Sequence, residues 1–148
     1  MRKLDSYSKE ILAILTKEGR LPISHLARRV GLSKTPCQSR VKWLEDEGYI
    51  LGYKAVLNHE KLDQQQVAYA QVTMSDTRQA ALTAFEVAVR EIPAVEECYL
   101  IAGSFDYLVK IRSADMNAYR KVLGESLSNL PHVASSSTFV SMKPVKEH

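Results

Sequence analysis

The apolar residues of this chain change their period at Gly48. Before that glycine they recur every three or four positions, as on one face of a helix. After it they alternate, as on a strand, and beyond the polar stretch 59–66 strand-like and helix-like segments take turns. No single uniform architecture accommodates both periods, so the chain reads as a helical module followed by a mixed one. With 148 residues, 45% hydrophobic and 25% charged, it is long enough to bury one good core or two small ones.

Three helices are expected in the first module. In "LDSYSKEILAILTKEG" the residues Leu4, Ile11, Leu12 and Leu15 form an apolar stripe that starts near Asp5 or Ser6 and stops at Gly19. In "PISHLARRVG" the residues Ile23, Leu26, Ala27 and Val30 follow at i, i+3, i+4 and i+7, with Ser24 as a cap and Gly31 suited to a left-handed terminator. The third is "SKTPCQSRVKWLEDEG", capped by Ser33, with Pro36 tolerated in a first turn whose amides have no intrahelical partner. At about 100° per residue, Cys37, Val41 and Leu44 share one face, and Lys34, Thr35, Gln38, Ser39 and Lys42 fall in a separate polar arc.

Two short helices joined by a tight turn, the second polar and basic on its outer face, form a helix-turn-helix. Its second helix would present its amino terminus to phosphate and its arc to base edges. Gln38 suits adenine, Lys34 or Lys42 guanine or phosphate, and Thr35 a thymine methyl, with Arg40 on the same helix. A helical corner that binds nothing has the same pattern. Charge is unevenly divided: residues 1–58 hold 11 Lys/Arg against 6 Asp/Glu, and the remainder holds 9 against 11. A basic module joined to a mildly acidic one fits a polyanion partner for the first, and chance clustering fits as well.

The segment "YILGYKAVLN" alternates with period two and is expected as a strand, serving as a wing, as a hinge between modules or as a plain linker. Beyond "HEKLDQQQ" the order is strand "VAYAQVTM", helix "TRQAALTAFEVAVREIP", strand "VEECYLIAG", strand "DYLVKIR", helix "ADMNAYRKVLGESLSNLP" and strand "VASSSTFVSMK". That β-α-β-β-α-β order is the split pattern of a ferredoxin-like sandwich, whose open sheet face needs cover. The expected class is therefore α+β: a helix-turn-helix (winged-helix-like) domain over residues 1–50, a linker strand or hinge over 51–65, and a ferredoxin-like βαββαβ sandwich over 66–148.

Several function classes find no support. Cys37 and Cys98 stand far apart without a CxxC or a nearby histidine pair, so neither a zinc site nor another metal or cofactor is expected, and both read as reduced thiols. The four histidines are scattered, Asp106 has no carboxylate one turn away, and no Gly-rich phosphate loop occurs, which argues against an enzyme. Nothing near the amino terminus reads as a signal peptide and no apolar run approaches the ~20 residues of a membrane span; a cytoplasmic protein without membrane contact is expected.

The phrases "LDSYSKEIL", "GRLPISHLARRVGLSKTPCQSRVKWLEDEGYILGYKAVLN", "VEECYLIAGSFDYLVKI" and "SADMNAYRKVLGESLSNLPHV" resemble the Lrp/AsnC (leucine-responsive/asparagine, feast-or-famine) family of transcriptional regulators, over about Leu4 to Met142. "TPC" with "RV..LE..GYI" is similar to the family's recognition-helix segment, and "GSFDYL" to its Gly-x-x-Asp-Tyr effector-loop signature. The resemblance implies a regulator that binds double-stranded DNA, a carboxyl domain that forms a homodimer and then a tetramer or octamer, and a small effector, usually an amino acid, with amino-acid metabolism genes as targets. It also implies where the effector lies, near Leu100, Ala102, Gly103, Ser104, Phe105 and Asp106 with Ser136 and Thr138 of the last strand. On the residues alone, Gly103 permits close backbone approach and Asp106 suits an ammonium group, while Gly-Ser-Phe-Asp equally makes a good hairpin turn. The family signature often has an acidic residue where this chain has Ser104.

Overall fold

The computed structural model describes residues 4–147. Two compact units divide between Leu57 and Asn58, inside the segment 51–65 that the sequence reading sets aside as a hinge. In the first unit three helices, α1 (Ser6–Lys17), α2 (Ile23–Arg29) and α3 (Lys34–Asp46), surround one small core. Ile11, Leu26, Ala27, Val30, Cys37, Val41 and Leu44 fill it, so the expected apolar faces are the buried ones.

The helix ends refine the sequence reading. Asp5 caps α1, its Oδ1 accepting the Ser8 amide at 2.9 Å. Ser24, expected as a cap, lies inside α2, because Pro22 occupies the cap position and its carbonyl takes the amides of His25 and Leu26. Ser33 does stand at the cap of α3, but its side chain makes no capping bond. Counting from Ser33, the third helical position is Pro36, which has no N–H to offer a cap hydroxyl. Gly31 adopts φ +69°, the left-handed conformation expected of it, and the Leu32 amide returns to the Ala27 carbonyl at 2.9 Å to close the turn between α2 and α3.

The strand expected over "YILGYKAVLN" is absent: no residue from 50 to 57 is assigned to a strand. Alternation marks an extended backbone, but a strand also needs a ladder partner, and among the described residues none pairs with this segment. Leu51 and Val56 stand 95% and 70% exposed. Tyr53 anchors the segment to α3 by donating its hydroxyl to Glu45 Oε1 at 2.9 Å, a bond that together with burial holds its phenol up at about 12.

The second unit is a four-stranded antiparallel sheet, β1 (Gln66–Met74), β2 (Val95–Leu100), β3 (Tyr107–Ser113) and β4 (Val133–Val140), in the order β2-β3-β1-β4. With α4 (Gln79–Arg90) and α5 (Met116–Lys121) this is the ferredoxin-like order read from the sequence. Alternate residues of the central strands, Ala68, Ala70, Val72 and Met74 of β1 with Tyr107, Val109 and Ile111 of β3, pack with Phe85, Val89, Tyr119 and Leu127. The Phe85 and Tyr107 rings lie 4.5 Å apart. The alternate positions form the other face, where Tyr69, Tyr99 and Phe139 remain exposed and Lys110 and Arg112 pair with Glu96 and Glu97.

The last expected helix is interrupted. After α5 the chain makes a π-turn over Val122–Ser126 and a 3-10 turn over Leu127–Asn129. The Asn129 side-chain amide donates to the carbonyls of Gly124 and Glu125 at 3.2 and 3.1 Å, supplying donors that a broken helix no longer provides.

Candidate DNA interface and effector turn

The polar arc of α3 is available. Lys34, Thr35, Gln38, Ser39 and Lys42 are exposed, and among the described residues none of their side chains makes a hydrogen bond or ion pair. Cys37, Val41 and Leu44, buried on the opposite side, fix the rotation of the helix and so the direction of the arc. Two lysines, a glutamine and two hydroxyls thus stand together on one stretch of surface, groups of the kind that meet phosphates and base edges.

Arg40 is placed elsewhere. Its Nη1 donates to both Asp5 carboxylate oxygens at 2.7 and 2.6 Å and to Ser8 Oγ at 3.2 Å, and its guanidinium lies over the Tyr7 ring, 5.3 Å from the centroid. The side chain is only 15% exposed. Arg40 therefore clamps α3 to the start of α1, a role the sequence reading missed because the partners stand 35 residues apart. The Ser8 amide and the Arg40 guanidinium together hold the Asp5 carboxyl down at about 2.

In the second unit, residues 101–106 form the turn between β2 and β3. Ala102, Gly103 and Ser104 are exposed, Phe105 and Asp106 half-buried, and Leu100 is 59% exposed at the end of β2. Asp106 is a structural tie in this protomer. Its amide donates to the Val72 carbonyl at 2.9 Å, its carbonyl accepts the Ile101 amide at 2.8 Å, and its Oδ2 accepts the Met74 amide at 2.7 Å. The ladder between β1 and β3 ends at Val72 and Tyr107, so the carboxylate takes the place of the next strand carbonyl. Gly103 has room for a Cβ, whose nearest neighbour would be Ile101 Cγ2 at 3.5 Å. Nothing within the protomer demands glycine there.

Ser136 and Thr138 come from β4 on the far side of β1. Ser136 pairs with Val72, which pairs with Tyr107, so Ser136 lies two strand spacings, about 10 Å, from the residue that follows Asp106. Turn and strand thus share one end of the sheet, while Thr138, one step further from that end, shares a 2.7 Å hydrogen bond with the Tyr119 hydroxyl.

Comparison with known proteins matches both units. Residues 4–50 match the winged helix-turn-helix DNA-binding model, and residues 67–148 match the Lrp/AsnC ligand binding domain. The chain is 56% identical over 144 residues to a proline dehydrogenase transcriptional activator of Rhizobium radiobacter, covering 97% of this chain and 92% of that one. A protein of the same name from Rhodobacter capsulatus is 51% identical, covering 97% and 94%. Among solved structures, a transcriptional regulator from Neisseria meningitidis in complex with L-methionine superposes with a TM-score of 0.91 at 32% identity, over 98% of this chain and 94% of that one.

Proposed function

Because the chain belongs to the Lrp/AsnC family of DNA-binding transcriptional regulators, we propose that it acts in the cytoplasm as a homo-oligomer that controls a proline dehydrogenase gene in response to L-proline. The observation that carries the DNA half is the exposed, unengaged arc of Lys34, Thr35, Gln38, Ser39 and Lys42 on a helix whose rotation the core fixes. These five residues read the operator, and Arg40 positions the helix that bears them.

The effector half rests on the family's ligand-binding domain and on the names of the two relatives, since a gene for proline breakdown is usefully controlled by proline. In this reading the ligand meets Leu100, Ala102, Gly103, Ser104, Phe105 and Asp106 with Ser136 and Thr138, and a second protomer completes the site. The open room around Gly103 and the exposed Tyr69, Tyr99 and Phe139 of the uncovered sheet face support a need for that second protomer. Two-fold docking covers the sheet and sets two recognition helices on successive half-sites; higher assembly gives the tetramer or octamer. Residues 51–65 serve as the hinge. Transcriptional control requires no catalysis of this chain, and among the described residues no helix is long and apolar enough to cross a membrane.

Mobility-shift titration on DNA upstream of the organism's proline dehydrogenase gene tests the proposal, run with and without L-proline and paired with sedimentation. A shift specific to that DNA, altered by proline, from a species larger than the 16.6 kDa chain is expected. Equal affinity for random DNA, or a monomer at micromolar concentration, refutes it.

A further inference from the structure

Helix α4 carries a carboxylate and a guanidinium four residues apart, Glu86 and Arg90. At that spacing and in that order the two side chains ordinarily meet. Here they do not: among the described residues neither forms an ion pair. Glu86 uses Oε1 to accept the Tyr107 hydroxyl at 2.9 Å, and Arg90, exposed, makes no described hydrogen bond.

Both line a cleft of about 480 Å³ between α4 and the edge strand β2, within the size range of small-molecule sites. Its apolar walls are Val89, Val95 and Leu100. Cys98, also in the lining, has its thiol pushed up to about 11, by burial first and then by Glu86, with Arg90 opposing, so both charges are felt beside it. The other acidic residues of the rim already have cations: Glu96 pairs with Lys110 and Arg112, and Glu97 with Lys110. What remains is one unpaired cation, one carboxylate with a vacant oxygen, and apolar wall beside them.

We propose that this cleft binds a free α-amino acid with an apolar side chain, its carboxylate on Arg90, its ammonium on Glu86 Oε2 and its side chain against Val89, Val95 and Leu100. It deepens the amino-acid-responsive reading above by adding a second site, one that a single protomer forms unaided. Leu100 closes β2 and opens the turn 101–106, so a ligand seated here bears directly on the effector turn. A zwitterion satisfies both charges at once and brings no net charge into a half-enclosed space, whereas a plain anion or cation leaves one of them unmet.

The test titrates L-leucine and L-proline calorimetrically into the full-length protein, its Arg90→Gln and Glu86→Gln variants, and Val95→Trp, which fills the cleft. Glu86→Gln keeps size and leaves an acceptor for Tyr107, while Arg90→Gln shortens an exposed side chain and removes its charge. The expected result is a binding class in wild type that weakens by about tenfold or more in Arg90→Gln and Glu86→Gln and disappears in Val95→Trp, with unchanged melting temperature in Arg90→Gln and a small fall in Glu86→Gln, whose amide oxygen still accepts from Tyr107 but without the charge. L-Leucinamide, which lacks the carboxylate, should bind wild type and Arg90→Gln alike. Absence of binding by both probes, or binding indifferent to Arg90→Gln and Glu86→Gln, overturns the cleft whatever the operator does. Cleft binding that leaves operator affinity unchanged upholds the site and refutes the regulatory role of the amino acid instead.

Discussion

Replacing Asp106 by alanine separates a ligand-binding role from a folding role. The strand ladder between β1 and β3 stops at Val72 and Tyr107, and the pairing of β1 with β4 shifts register between Thr73 and Met74. The Met74 amide, in a residue only 6% exposed, therefore donates to Asp106 Oδ2 at 2.7 Å. Asp106→Ala leaves that donor without its acceptor. A hydrogen bond to a charged group contributes roughly 1.5–3 kcal/mol, and because the carboxylate is only half-buried a loss of about 2 kcal/mol is expected. For a unit of this length about 4–8 °C accompanies each kcal/mol, so its melting transition should fall by roughly 8–16 °C. Asp106→Asn keeps an oxygen in place and should lose about half as much. Scanning calorimetry of the full-length protein measures both. A transition for Asp106→Ala within about 2 °C of wild type refutes the structural tie, and Asp106→Asn melting like wild type while binding L-proline more than about tenfold less tightly reassigns the carboxylate to the ligand.

The arc of α3 predicts that Gln38→Ala costs roughly 1–3 kcal/mol on the selected operator and little on random DNA; Lys42→Ala should weaken both and flatten the salt dependence by about one unit of slope, and competition binding at two salt concentrations reads both effects. Gly103→Ala should leave the melting temperature of the protein unchanged, since its Cβ would make only a 3.5 Å contact with Ile101; a change in sedimentation would then locate a neighbouring protomer at the turn. Cys98 holds its proton in the folded state up to about 11 against an ordinary 9.0, so its contribution to stability is complete below pH 9.0 and is lost as pH rises towards 11. Wild type should lose more stability across that window than Cys98→Ser, a difference that thermal melts at the two ends of the window measure.

The helical periodicity of residues 4–46 and the β-α-β-β-α-β succession are properties of local sequence. Side-chain spacing along one element decides which face is apolar, and Cys37, Val41 and Leu44 could thus be assigned to the core with Lys34, Gln38 and Lys42 opposite them before any contact was known. Local rules failed where the deciding partner lies outside the element. The alternation of residues 50–57 gives an extended chain, yet no described strand completes a ladder with it. The serine before α3 has the right chemistry for a cap, but its hydroxyl makes no capping bond, and Pro36 removes one of the two amides that could serve. Arg40 reads as one more base on a recognition helix until the fold brings Asp5 within hydrogen-bonding distance. Asp106 suits an ammonium group by charge alone; that the end of β1 already occupies one of its oxygens is visible only in the fold. The cleft between α4 and β2 has no sequence signature beyond the spacing of Glu86 and Arg90, because a gap between elements is set by how they pack. Periodicity encodes which side of an element faces inward; what stands on that inward side, at what distance, follows from the closure of the chain in three dimensions.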